Sequence, residues 1–497
     1  MNSHVFLGSF IAYVVAMIAF GWWVSRHSRS SGDDFLLGGR SIPIFLTIGT
    51  TVATMVGTGS SMGAVGFGYA NGWAGALYGI GGSIGVLLLA AWFAPVRKLR
   101  FMTMSEELSY YVGASRLVRN IVAVLIYIAC IGWLGAHILG GGLYLSWMAD
   151  IDLTTARILV ALGFGVYCVI GGYMAVVWID TIQAVVLFVG FIVMAIIALF
   201  EVGGFSGLGA NMDVATTSFL GIDKIGVVPA LSLAAVIAVG VLATPSYRQR
   251  IYSGNSVHSV RRSFVITGIL YLFFSIIPAI IGMATHALNP DLDNSNFAFP
   301  FLATEILPLW LGLLLLVAGL SATMSSASSD AIAGVSILLR DVYVLFTGHT
   351  PAGHKVVILS RLALVATIGL ALLFALISDN VIDYITSMIA TVMAGMFVCG
   401  LLGRFWPHYN WQGAVATLVS ASATSLTVIN VDSWSTFWGN PSIPAVLVAL
   451  VVGVVVSLIT PASKVSPEQA LQRINEERQR MESDINPALT PQADSAT

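Results

Sequence analysis

The chain has 497 residues, of which 57% are hydrophobic and only 9% charged, with a formal net charge of −2 and a mean hydropathy of +0.90. So few charges cannot coat a water-soluble enzyme of this size, and the apolar residues come in blocks long enough to cross a lipid bilayer. No separate soluble domain is visible, and no nucleic-acid partner is expected.

Thirteen spans follow in chain order: Val5–Val24, Pro43–Tyr69, Trp73–Ala94, Ile121–Ala149, Ile158–Tyr173, Ala175–Phe200, Val227–Thr244, Phe264–Met283, Leu309–Leu339, Val356–Leu376, Ile382–Leu402, Ala414–Ile429 and Ile443–Ile459. The first lacks the basic leader of a signal peptide and reads as a retained anchor. Basic residues test the count independently. Twenty of the 22 Lys and Arg fall in alternate loops, which the positive-inside rule makes cytoplasmic; only Arg157 and Lys224 lie opposite. A missed span would destroy that sorting, so the amino terminus is expected outside and the carboxyl terminus inside. The setting implied is an inner cell membrane. Cys130, Cys168 and Cys399 all sit in apolar runs and read as packed thiols. In the polar tail, 463–497, Ser466-Pro467-Glu468 reads as a cap followed by proline at the first helical position.

Two spans are unsuited to continuous helix. Pro43–Tyr69 carries Thr54, Gly57, Thr58, Gly59, Ser60 and Gly63 at its centre, and Val227–Thr244 runs into Pro245. Interrupted spans at corresponding places in two halves point to a transporter's binding site. With the first span set aside, these are the first and sixth of the remainder, which predicts an inverted 5+5 repeat. The expected organisation is a lead helix and loop over 1–40, a transport core over 41–402, two peripheral helices over 403–462 and a cytoplasmic tail over 463–497.

Chemistry concentrates in Ser321–Asp330, inside the ninth span. Hydroxyls and a carboxylate at that depth need partners, because lipid offers none. An unwound centre near Ala53–Gly57 would expose backbone carbonyls. Ser325 and Ser326 would face it with hydroxyls, and Ala322 with a carbonyl one turn earlier. About five such neutral oxygens suit sodium. Asp180 lies just inside the sixth span, and apart from Arg361 near the start of Val356–Leu376 the expected spans contain no basic residue, so a cation is its natural partner. Asp330 stays open between an interfacial carboxylate and a functional one. Thr58 and Ser60, with Trp133 and His137 four apart on one helix face, are the candidate solute contacts.

Gly59-Ser60-Ser61-Met62-Gly63 matches a hydrolase motif, yet that motif needs a strand-turn-helix setting. With 50 glycines in the chain a chance match is expected. No catalytic residue and no nucleotide-binding loop is expected.

The chain resembles the sodium:solute symporter family of proline, sialic acid, pantothenate, sugar and choline carriers. The resemblance rests on Leu37-Gly38-Gly39-Arg40-Ser41, Gly171–Asp180 with Gln183, Gln249-Arg250, and Ala322-x-x-Ser325-Ser326 running on to Arg340-Asp341-Val342-Tyr343. It implies an all-α, LeuT-like inverted repeat preceded by one extra helix. It also implies a sodium ion on the carbonyls of Ala53, Val56 and Ala322 and the hydroxyls of Ser325 and Ser326. A second sodium would fall on Ser325, Ser328, Ser329 and Asp180.

Departures bear on the solute. Tyr173 follows the double glycine, Met55 stands where proline carriers have aspartate, and the tryptophans of the choline branch are missing at Met55 and near Thr244. No acidic residue is evident in the binding region. The reading is therefore a sodium-coupled importer of a small polar organic solute, an amino acid or a carboxylate. A choline or organic-cation carrier and a sodium-linked sensor or channel are the alternatives.

Overall fold

The computed structural model describes residues 3–26, 36–209, 211–349, 351, 353–376, 381–462 and 465–483. Arg29, Lys464 and the end of the expected tail lie outside them. Among the described residues the regular structure is helical, and the one β pairing is an isolated bridge between Ile42 and Gly254.

Among the described residues, ten helices are long and apolar enough to cross a membrane. The expected thirteen are recovered once breaks are located. Leu153–Glu201 is nominally one 49-residue helix, but Gly172 within it sits at φ 61°, ψ −163°. That conformation is open mainly to glycine and ends one span and starts the next. Gly59–Leu99 is likewise divided at Gly72, whose φ is 62°. Val227–Ala243 and Pro245–Ser253 form a pair bent by 44°. Splitting the two long stretches and counting the bent pair gives the sequence-based number.

Side chains are sorted for lipid. Large apolar residues such as Val185, Phe273, Val365 and Leu458 face outward, whereas Asp180, Arg248, Arg250 and Asp330 are buried. This inverts the arrangement of a water-soluble protein. All three cysteines are buried and free.

Both expected interruptions occur. Ile44–Met55 stops at Val56, which has φ −88° and ψ 62°, and the chain resumes through a wide turn, Gly59–Gly63, into Ala64–Asn71. Thr244 has the extended values φ −73°, ψ 125° that a following proline favours. The span does not end there, as the boundary at Thr244 implied; a second helix follows the break. It runs over Pro245–Ser253 and carries Arg248, Gln249 and Arg250 into the protein interior.

Candidate ion and solute site

The helix Leu309–Ile337 passes the first break, and a glycine sets how closely. A Cβ on Gly57 would lie 2.5 Å from Ser326 Oγ. Ser325 Oγ donates to the Ala53 carbonyl at 3.0 Å and lies 3.3 Å from that of Ala322. Ser326 Oγ is 3.3 Å from the same two carbonyls and 3.2 Å from that of Thr54. Two hydroxyl protons thus serve three carbonyls, leaving an oxygen-rich knot with spare lone pairs, which is what a hard monovalent cation requires. Val56 ends its helix beside the knot, but neither serine bonds to it. The Thr54 carbonyl was not expected in the set.

Asp180 needs a correction. Its carboxylate is fully buried and does have a basic partner, Arg250, with Nη2 3.6 Å from Oδ2. Thr50 and Ser329 donate to Oδ2 at 2.6 and 2.9 Å, and Ser328 lies 3.3 Å from Oδ1. The same Thr50 and Ser329 hydroxyls accept from Arg250 Nη2, both at 2.7 Å, so they bridge guanidinium and carboxylate. Thr54 Oγ1 is a further acceptor at 2.5 Å. The premise of an unpaired carboxylate fails because the seventh span was ended at Thr244, six residues before the arginine that reaches back.

The break also opens a cavity of about 40 Å³, enough for water but not for an organic solute until its walls draw apart. Ser60, Trp133 and His137 line it, along with Met55, Tyr78, Thr244, Ser246, Tyr247, Tyr271 and Asp330. Thr58 does not line it; its hydroxyl holds His137 Nδ1 at 3.0 Å. Trp133 and His137 stack with ring centroids 6.2 Å apart. His137 Nε2 meets Asp330 Oδ2 at 3.1 Å. The candidate binding region therefore does contain an acidic residue, contrary to expectation: Asp330 is buried and held by His137. Ser61 of the hydrolase-like motif donates to the Gly57 carbonyl at 2.6 Å, while both His137 nitrogens are engaged elsewhere. The tyrosines and Ser246 were missed because they come from segments far apart in sequence. Following the seventh helix past Pro245 would have found Ser246 and Tyr247.

Comparison with known proteins agrees with this architecture. The chain is 25% identical over 464 residues to the sodium/glucose cotransporter of Vibrio parahaemolyticus, covering 84% of each. It is also 25% identical to the sodium/proline symporter of Escherichia coli (strain K12), covering 85% of this chain and 87% of the relative. Among solved structures, a substrate-bound, outward-open Na+-coupled sialic acid symporter superposes with a TM-score of 0.79 at 20% identity, over 93% of this chain and 99% of the other. A closed nucleobase-cation-symport-1 family transporter superposes with a TM-score of 0.57 at 13% identity, over 88% and 98%. These likenesses carry the fold, which is the LeuT-type arrangement of broken helices. The family model for the sodium:solute symporter family matches residues 35–420, and on that match the chain belongs to the sodium:solute symporter family.

Proposed function

We propose that this protein uses the sodium gradient to import a small polar organic solute by alternating access. The reading has it in an inner membrane, with its amino terminus outside. Residues 41–402 would form the transport core. The observation that carries the proposal is the knot formed by Ala53, Thr54, Ala322, Ser325 and Ser326, where carbonyls outnumber hydroxyl protons at a helix break. Sodium there would tie Ile44–Met55 to Leu309–Ile337. The solute cavity shares Thr54 and Gly57 with that break, so each ligand would favour the arrangement the other needs, and the two affinities would be linked. A sodium at Asp180 remains part of the proposal in altered form, since it would have to displace or share with Arg250. Among solute classes, the amino-acid reading is supported over a plain carboxylate by Asp330 in the cavity wall.

The test is thermal melting of purified protein during a sodium titration at constant ionic strength, with potassium as the replacement ion. Sodium should raise the melting temperature. Ser326→Ala should shift the half-effective sodium concentration upward about tenfold, the equivalent of one lost charge-assisted contact. Its melting temperature in potassium alone should change little. An unchanged sodium midpoint would remove Ser326 from the site.

A further inference from the structure

We propose that Asp330 recognises a protonated N–H group on the solute, and that Trp133 and Ser246 recognise an acceptor group on the same molecule. This assigns the cavity an amino-acid-like ligand and rests on the symporter reading above.

Three polar atoms carry the inference. Asp330 Oδ1, Trp133 Nε1 and Ser246 Oγ are all buried without a hydrogen-bond partner and line the cavity at the break, where the Tyr271 hydroxyl, also unpartnered, could join Trp133 and Ser246 as a donor. Asp330 is 3% exposed and Ser246 fully buried. A buried polar atom left unpaired is costly, and more so when it is charged. Three such atoms around one space are explained together by a ligand that satisfies them.

Their chemistry fixes what the ligand must offer. A carboxylate only accepts, so Oδ1 calls for a donor, and its negative charge favours a cationic one. The other oxygen is already occupied by His137 Nε2, which is held from behind by Thr58. Asp330 therefore has one oxygen anchored and one presented. An indole N–H only donates, so Trp133 calls for an acceptor; Ser246 can donate to the same group. Tyr78, Tyr247 and Tyr271 add aromatic surface that tolerates a cation. A quaternary ammonium could use that surface, but it has no N–H to give Oδ1. A sugar or a simple carboxylate would bring no cationic N–H to Oδ1.

The experiment is thermal melting of purified full-length protein in saturating sodium, titrated with glycine, L-alanine, L-proline and γ-aminobutyrate. The matched counterparts are glycolate, lactate, γ-hydroxybutyrate, glucose and trimethylglycine. At least one N–H-bearing compound is expected to stabilise the protein. Asp330→Asn should weaken it about tenfold or more, and Asp330→Glu should recover part of the loss. Trp133→Phe should weaken it too while leaving the sodium midpoint unchanged. The sodium response of each variant, measured without solute, reports that the protein is folded. The proposal is overturned if no N–H-bearing compound stabilises the wild type, if the counterparts bind as well, or if Asp330→Asn binds as tightly. In any of those cases an intact sodium response leaves the symporter reading standing, whereas its loss in the wild type would count against that reading.

Discussion

At the residue scale, the ion pair between Arg250 and Asp180 reshapes the second-ion idea. A buried pair broken from one side leaves an uncompensated charge, at a cost of about 3–5 kcal/mol. Arg250→Gln should therefore lower the melting temperature in potassium. If sodium can take the place of the guanidinium beside Thr50, Ser328 and Ser329, sodium should stabilise Arg250→Gln more than the wild type. The double variant Asp180→Asn/Arg250→Gln should lose that extra increment. Equal sodium increments in all three proteins would contradict a second ion at Asp180. The individual site residues were partly legible in the sequence. Among the candidate residues, Ser325 and Ser326 stand out because hydroxyls in a membrane span demand partners, and Ala53 because an unwound helix exposes its carbonyl. Arg250 does not, because a mean hydropathy ends a span where charges begin, although a proline-broken helix can carry those charges inward to a buried acid.

At the element scale, both interruptions were readable, since glycine and proline act on the backbone locally. What the sequence could not convey was how near the neighbouring helix comes. Gly57 allows Ser326 to approach; a methyl group there would sit 2.5 Å from Ser326 Oγ and 3.1 Å from its Cβ. Gly57→Ala should force the two helices apart, cost about 1–3 kcal/mol through overpacking, and raise the sodium concentration needed for half-maximal stabilisation. Gly369→Ala is the matched control, because a Cβ there meets nothing within 4 Å. If the two variants respond alike to sodium, close approach at Gly57 does not set the ion site.

At the scale of the whole molecule, span number was legible because lipid imposes a length on every crossing, and the family because motifs such as Gly171–Asp180 and Ala322-x-x-Ser325-Ser326 occur together. The solute was not, because the candidate cavity is assembled from Met55, Tyr78, Trp133, Ser246, Tyr271 and Asp330, six places with no shared sequence pattern. The tail is also integrated into the fold. Its helix Pro467–Ser483 begins as its sequence predicts, with Ser466 Oγ accepting from Gln469 N at 3.2 Å and Gln469 Oε1 accepting from Ser466 N at 3.0 Å. Arg478 bonds Glu106, and Glu477 pairs with Arg119, which also holds Asp341 at 3.2 Å. Burial alone would raise the Glu106 carboxyl, but the Arg478 and Arg119 guanidiniums outweigh it and hold the group below the usual range, so the clamp is charged at neutral pH.

Coupling is the property that belongs to the molecule as a whole, because it needs both breaks, the ion knot and the cavity in one moving frame. Its most direct measurement is uptake of radiolabelled glycine, L-alanine and L-proline, each beside its hydroxy counterpart, into proteoliposomes. An inward sodium gradient is compared with equal potassium and proton gradients. Accumulation of an amino acid above its external concentration is expected under the sodium gradient alone, collapsing when sodium is equal on both sides. Accumulation driven equally well by potassium or protons, or mere equilibration regardless of sodium, would contradict it.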